Sequence, residues 1–318
     1  MNSDHLKELG IDWHRMIDAV CDASKALGRG DFHQPIKPYL RFGAAVNRII
    51  AMPAYVGEPF KAAGIKWISS YPRNIDRGIQ RAHSVTVLND FETGKPTTLM
   101  NTAVISGIRT AAVSGWIARC WQEIRKPDRV KVGITGMGPI GRLHLAMLDA
   151  LLGDAAESYK FFDLRPIDLG LLPEVAAPVE VVDSWQACYR DADIFVTCTV
   201  SDAPYVDLPP KPGALLLNVS LRDFHYQVMN HVKVMLVDDW DEVCREKTDI
   251  ETMHLKGGLQ RKDTFWMAEV ASGKAFDNLG EADTVMFNPM GLAVYDVAVA
   301  KIFHDQAVAR GIGIDLPD

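Results

Sequence analysis

The chain has 318 residues, 48% of them hydrophobic, enough to bury one large core or two domain-sized ones, and its length favours two. A net charge of −7 counts against a nucleic-acid partner, and with no membrane-length apolar run and no signal or transit segment at Met1-Asn2-Ser3-Asp4-His5, neither a membrane nor export is expected. The five cysteines (Cys21, Cys120, Cys188, Cys198, Cys244) are scattered and form no CxxC pair, so no disulfide framework and no zinc site is expected, and a reducing cytoplasm is the natural setting.

Ile11 to Leu27 has helical spacing at Ile11, Met16, Ile17, Val20, Ala23 and Leu27, and ends at Gly28, a C-cap residue. From His33 to Met100 the pattern turns strand-like. Arg48 to Met52, Gly64 to Ser69, Ser84 to Asn89 and Pro96 to Leu99 are short runs between Pro and Gly punctuation, with Glu92-Thr93-Gly94 as a hairpin turn. Thr102 to Trp121 reads as one helix with Thr102 as its N-cap. After the polar linker Glu123 to Arg129, strands expected at 130–135, 158–163, 178–182, 193–198, 214–218, 232–237 and 284–287 alternate with helices, as a parallel sheet requires. Lys256 to Asp263 reads as an exposed loop, and Met290 to Arg310 as a final helix that returns to the first block. The fold class is therefore α/β: a doubly wound parallel-sheet (Rossmann) domain preceded by an α+β region.

Between the first of those strands and the helical pattern Arg142 to Leu152 stands Gly136-Met137-Gly138-Pro139-Ile140-Gly141. The first glycine allows the sharp turn, the second lets backbone approach a pyrophosphate, and the third lets helix and strand pack closely. The helix starts at Pro139 and Ile140, and the N–H groups of its first turn, which Pro139 itself lacks, then face the anion. A second apolar run, Tyr159 to Phe162, ends in Asp163, about 25 residues past the central glycine, where a carboxylate accepts from ribose hydroxyls. A dinucleotide is the expected ligand, and the bland alternative is a glycine turn that binds nothing. Asp163 favours NAD over NADP, while Arg165 two residues on argues the other way.

Between His33 and Arg81 eight basic residues (Lys37, Arg41, Arg48, Lys61, Lys66, Arg73, Arg77, Arg81) face only Glu58 and Asp76. Lys61, Arg73 and Arg77 read as a solvated basic face. Arg41, after the rigid Pro38-Tyr39-Leu40, and Lys66, inside an apolar run beside Trp67, read as buried cations that require an anion. Arg109, flanked by Ile105, Ile108, Ala111 and Ala112, makes the same demand, and a substrate bearing carboxylates would meet it.

The strand Leu215 to Asn218 runs into Val219-Ser220-Leu221-Arg222-Asp223, and ligands of open parallel sheets bind beyond the carboxyl ends of strands. Asp223 is accordingly the candidate acid/base, partly desolvated, with capping of a helix Phe224 to Asn230 as the structural alternative. Thr197-Cys198-Thr199-Val200-Ser201 is expected to pass under the dinucleotide. His83, His144 and His225 have no metal-like spacing, and no metal is expected.

Ile108-Arg109-Thr110-Ala111-Ala112, Gly136-Met137-Gly138, Asp163, Asn218 with Asp223 five residues on, and Asn288-Pro289-Met290-Gly291 with Asp296 beyond resemble the ornithine cyclodeaminase/μ-crystallin family over nearly the whole chain. Gln34 to Arg41, Arg48 to Pro53, Gly64 to Ile68, Thr197 to Val200 and Val237 to Trp240 resemble the branch whose dehydrogenases release 2,3-diaminopropionate from a glutamate conjugate. The resemblance implies a homodimer, with a substrate and dimerisation domain of residues 1–110 and 289–318 around an NAD domain of 111–288. It implies Arg41, Lys66 and Arg109 as carboxylate and amine-site residues; from the basic cluster, Arg48 and Arg81 are the candidates for a remaining carboxylate. Asp223 and Lys66 are the implied catalytic residues, and the NAD set is Gly136, Gly138, Pro139, Ile140, Gly141, Asp163, Thr199, Val200, Ser220 and Leu221.

The implied activity is NAD-dependent oxidation of an amino-acid substrate with several carboxylates, for siderophore or antibiotic synthesis. A cyclodeaminase with recycled NAD and a non-catalytic dinucleotide-binding protein are the alternatives. Ile50 stands where cyclodeaminases carry a glutamate, which counts against ring closure. Relatives begin with an apolar strand where this chain enters at Asp4-His5-Leu6-Lys7, so either an edge strand is missing or the start lies late.

Overall fold

The computed structural model describes residues 1–44 and 46–316. In chain order the elements are α1 (Ser3–Leu9), α2 (Trp13–Gly28), β1 (Phe32–His33), β2 (Tyr39–Leu40), β3 (Arg48–Val56), β4 (Ala62–Ser70), β5 (Ala82–Asn89), β6 (Pro96–Asn101) and α3 (Val104–Arg125). Then follow β7 (Val130–Thr135), α4 (Pro139–Leu152), β8 (Ala156–Phe162), β9 (Val179–Val181), α5 (Trp185–Tyr189), β10 (Ile194–Thr197), β11 (Leu215–Asn218) and β12 (Val234–Val237). The chain continues through α6 (Trp240–Val243), α7 (Asp249–Gly257), β13 (Phe265–Trp266), α8 (Met267–Ala271) and β14 (Val285–Asn288) to α9 (Ala293–Arg310). Two compact units result, one of residues 1–109 and 291–318 and the other of residues 110–290.

The first unit is built on an antiparallel sheet in the order β1-β3-β4-β5-β6, with β2 paired to β3. Strand side chains alternate between faces, and Met52, Ala54, Val56, Ala62, Lys66, Ser70, Ser84, Thr86, Leu88 and Met100 form its buried set. Against this sheet packs α9, whose fully buried run from Val294 to Ala300 contains one carboxylate, Asp296. Asp12 caps α2 by accepting from the N–H of Arg15, and the helix buries Trp13, Met16, Ile17, Val20, Ala23 and Leu27 at the expected spacing. The β5–β6 hairpin turns at Gly94 (φ 74°), where Thr93 N–H donates to Asp90 Oδ1 at 2.8 Å.

The second unit is an eight-stranded parallel sheet in the order β13-β12-β14-β11-β10-β7-β8-β9. Strands buried on both faces read as continuous apolar runs, which is why β10, β11, β12 and β14 are buried at every position. Strand order reverses between β7 and β10, the place where doubly wound sheets bind their ligands.

Three local expectations change. The helix expected over 224–230 is a 3-10 turn, Tyr226–His231, whose N-cap is His225 with no side-chain bond, so Asp223 caps nothing. The stretch 256–263 is not wholly a loop: its first residues close α7, and Leu259 is buried. Two-residue strands β1, β2 and β13 appear where no periodicity announced them. Among the described residues no helix is long and apolar enough to cross a membrane.

Candidate active site

In the second unit Gly136 turns β7 into α4 at φ +85°, and a Cβ there would lie 2.6 Å from the Cys198 carbonyl. A Cβ at Gly141 would lie 2.1 Å from the Gly136 oxygen. Both glycines are therefore demanded by close approach. Gly138 differs: nothing lies within 4 Å of its Cβ position, and it starts α4 with no side-chain cap. Open space above uncapped N–H donors at a helix start, with Pro139 and Ile140 in its first turn, fits a pyrophosphate. Asp163 Oδ2 accepts from Met137 N–H at 2.9 Å and Oδ1 from Arg165 N–H at 3.0 Å. The carboxylate thus stands against the glycine turn, and Arg165 reaches it with backbone.

At the end of β11, Asp223 is fully buried, not partly desolvated as expected. Thr199 Oγ1 donates to its two oxygens at 2.6 and 2.8 Å, and Ser220 Oγ donates to Oδ2. Burial raises its pKa and these hydroxyls pull it back. Asp223, Thr199 and Ser220 are thus one cluster, while Val200 is exposed and Leu221 is buried with φ +63°. His144 is buried between the Ile140 carbonyl and Ser114 Oγ, and burial lowers its pKa to about 4, which leaves it neutral.

In the first unit Lys66 on β4 is buried, with Nζ 2.8 Å from Asp296 Oδ2 and 3.2 Å from Ser106 Oγ. Arg109 Nε donates to the other oxygen, Oδ1, at 2.9 Å. Gly291 (φ +88°) makes room for that guanidinium, since a Cβ there would lie 2.7 Å from Arg109 Nη1. Lys37, also buried, donates to the Gly291 carbonyl at 2.8 Å. Desolvation lowers the Lys66 pKa to about 7 against the pull of Asp296, and Arg109 and Lys37 add to the fall.

The anion demanded by Lys66 and Arg109 is thus first of all Asp296, from the chain itself. Arg41, expected to be buried, is exposed; it and Arg48 place their guanidinium carbons 5.2 and 5.3 Å from the centre of the Tyr39 ring. Arg81 stands exposed just before β5, its Nη2 3.5 Å from Ser70 Oγ.

The family model for the ornithine cyclodeaminase/mu-crystallin family matches residues 5–311. This chain belongs to that family. It is 32% identical to N-((2S)-2-amino-2-carboxyethyl)-L-glutamate dehydrogenase of Staphylococcus aureus, over 99% of this chain and 97% of that one. The same fold occurs in Delta(1)-pyrroline-2-carboxylate reductase of Thermococcus litoralis, solved with NADH and L-proline, at TM-score 0.89 and 23% identity over 99% of both chains. An archaeal alanine dehydrogenase dimer with bound NAD superposes at TM-score 0.83 and 23% identity, over 100% of this chain and 98% of that one.

Three residues of this family chain escaped the sequence reading as site residues: Asp296, Lys37 and Asp249. Asp296 had a signal, a lone carboxylate in the apolar run Val294 to Ala300. Lys37 was visible as one of eight basic residues and within the string Gln34 to Arg41, with no mark of its own. Asp249 looks in sequence like an ordinary first-turn acid, yet its Oδ2 accepts from the N–H groups of Asp223 and Phe224 and from Asn218 Nδ2.

Proposed function

We propose that this chain oxidises the secondary amine of N-(2-amino-2-carboxyethyl)-L-glutamate at the glutamate α-carbon with NAD, releasing 2-oxoglutarate and L-2,3-diaminopropionate for siderophore or antibiotic synthesis. In its coarser form the reading is that the chain is an NAD-dependent oxidoreductase acting on amino acids. The observation that carries the finer step is the pair of buried cations in the first unit, Lys66 and Arg109, which share one salt-bridge partner among the described residues, Asp296. A substrate carboxylate suits that pair, and Arg41 and Arg48, both beside the Tyr39 ring, are assigned to the further carboxylates of the substrate.

Bound on the glycine turn, NAD supplies the hydride acceptor that takes the amine to an imine, which water then hydrolyses to ketone and free amine. Arg109 uses Nε for Asp296, so its two Nη groups are the fork for a substrate carboxylate. Lys66, with a pKa near 7, orients the reacting end and exchanges a proton close to neutrality. Asp223 receives the proton of the attacking water through Thr199, whose hydroxyl touches both its oxygens. Arg48 and Arg81 are assigned to the remaining carboxylate. Asp163 selects NAD by accepting from the ribose and repelling a 2′-phosphate.

The reading includes a cytoplasmic homodimer. Trp67 and Leu99, large side chains that are 45% and 47% exposed, lie on the sheet face opposite Lys66 and suit a second copy. Incubation with NAD and the glutamate conjugate is expected to yield NADH and 2-oxoglutarate in equal amounts. Ammonia and proline from ornithine without net NADH would replace this reading with a cyclodeaminase. Neither activity would leave a dinucleotide-binding protein.

A further inference from the structure

Beyond the end of β11 the backbone does something costly. Leu221, a buried residue, sits at φ +63°, a left-handed conformation that a non-glycine side chain keeps only when its surroundings hold it. Both of its backbone groups are held. Its N–H donates to Asn218 Oδ1 at 3.1 Å, and its carbonyl accepts from the backbone N–H of Asp249 at 2.7 Å. Two residues on, the N–H groups of Asp223 and Phe224 both donate to Asp249 Oδ2 at 3.1 Å. The same oxygen accepts from Asn218 Nδ2 at 2.9 Å, and Asn218 in turn donates to Asn288 Oδ1 at 2.8 Å.

One buried carboxylate therefore gathers β11, its turn and the backbone of Asp223. We propose that Asp249 is a positioning residue for Asp223: its carboxylate and its N–H together fix the Leu221–Phe224 segment and hence where the Asp223 carboxylate stands. This rests on the acid/base role proposed for Asp223.

Thr199 and Ser220 hold the Asp223 carboxylate itself, and its remaining backbone ties are at the carbonyl, which accepts from the N–H groups of Tyr205 and Val206 at 2.8 Å. They hold the carbonyl and leave the peptide N–H to Asp249 alone. Burial pushes the Asp249 pKa up to about 7, and Asp223 adds to the rise, so the two carboxylates feel each other. Tyr205 and Cys198 also sense the charge of Asp223.

Asp249→Ala removes the acceptor, whereas Asp249→Asn keeps a carbonyl oxygen for the same donors. Asp249→Ala is expected to lower kcat by about 10- to 100-fold, the scale of a small misplacement of a reacting group. KM and NAD affinity should stay within about threefold of the parent, and Asp249→Asn should recover most of the turnover. If Asp249→Ala does not fold, Asp249→Ser takes its place, since serine suits a helix start and its hydroxyl is too short to reach all three donors.

Parent-like kcat in the alanine or serine variant overturns the proposal. So does a parallel loss of NAD binding and turnover, which would make Asp249 a prop for the whole unit, or an asparagine variant as slow as the alanine one. If the parent fails to turn over the glutamate conjugate, the functional reading fails separately. The ¹³C carboxyl resonance of Asp223 in the substrate-free protein, identified by its loss in Asp223→Asn, then decides. Its chemical shift and titration midpoint should move in Asp249→Ala, and no movement overturns the positioning role.

Discussion

In the first unit two buried cations, Lys66 and Arg109, share one salt-bridge partner among the described residues, Asp296, whereas in the second two buried carboxylates, Asp223 and Asp249, have no salt bridge among the described residues. Hydroxyls, an amide and backbone N–H groups satisfy the second pair instead. Desolvation drives both clusters toward neutrality from opposite ends: the Lys66 pKa falls to about 7 and that of Asp249 rises to about 7. A cluster short of anions is one that an anionic ligand completes. A carboxylate pair supported only by neutral donors is one whose protons are exchangeable near physiological pH.

The comparison breaks most readily at Asp296. Asp296→Ala leaves Lys66 and Arg109 buried with no carboxylate, and removing one partner of a buried pair costs about 3–5 kcal/mol. Urea denaturation should show that loss in unfolding free energy. A change below about 1 kcal/mol, the scale of exposed pairs, would mean that the two cations reach water in solution and that the surplus needs no ligand.

At Asp223 the corresponding change concerns rate. Asp223→Asn keeps an oxygen for the Thr199 and Ser220 hydroxyls but removes the base, so turnover should fall about 100-fold or more. The melting temperature should barely move, because asparagine keeps the shape and an acceptor. Turnover within a few-fold of the parent would reduce the pair of carboxylates to a structural tie.

Much of this contrast was legible before any coordinates, and the reason differs by element. The parallel strands announce themselves because burial on both faces makes them unbroken apolar runs, and Gly136, Gly138 and Gly141 because a tight turn is a local demand. Lys66 and Arg109 stood out as charges among apolar neighbours. What stayed hidden was pairing over distance. Asp296 lies 230 residues from Lys66 and 187 from Arg109, and only the packing of α9 on the sheet unites them. Strands β1 and β2 owe their existence to pairing with β3, since two residues carry no period. The same holds for Asp249, whose helix-start position is ordinary and whose three donors lie 25 to 31 residues away.

The smallest expected effect follows from the opposite signs of the two pKa displacements. Asp249 is raised from 3.8 to about 7, so the native state binds its proton more tightly than the unfolded chain does. Its contribution to stability is complete below pH 3.8 and is lost as pH rises through about 7. Lys66 is lowered from 10.5 to about 7, so the native state binds its proton less tightly; its contribution grows as pH rises from about 7 and is complete above 10.5. Melting temperature should therefore decline between pH 4 and 7 as Asp249 loses its proton and be supported between pH 7 and 10 by neutral Lys66, each by roughly a few degrees. Asp249→Asn should flatten the acid side and leave the alkaline side alone, and Lys66→Met should do the reverse. If each variant instead shifted the whole curve without changing its slope, neither group would titrate in the native protein near neutrality, and the symmetry between the two units would be one of burial alone.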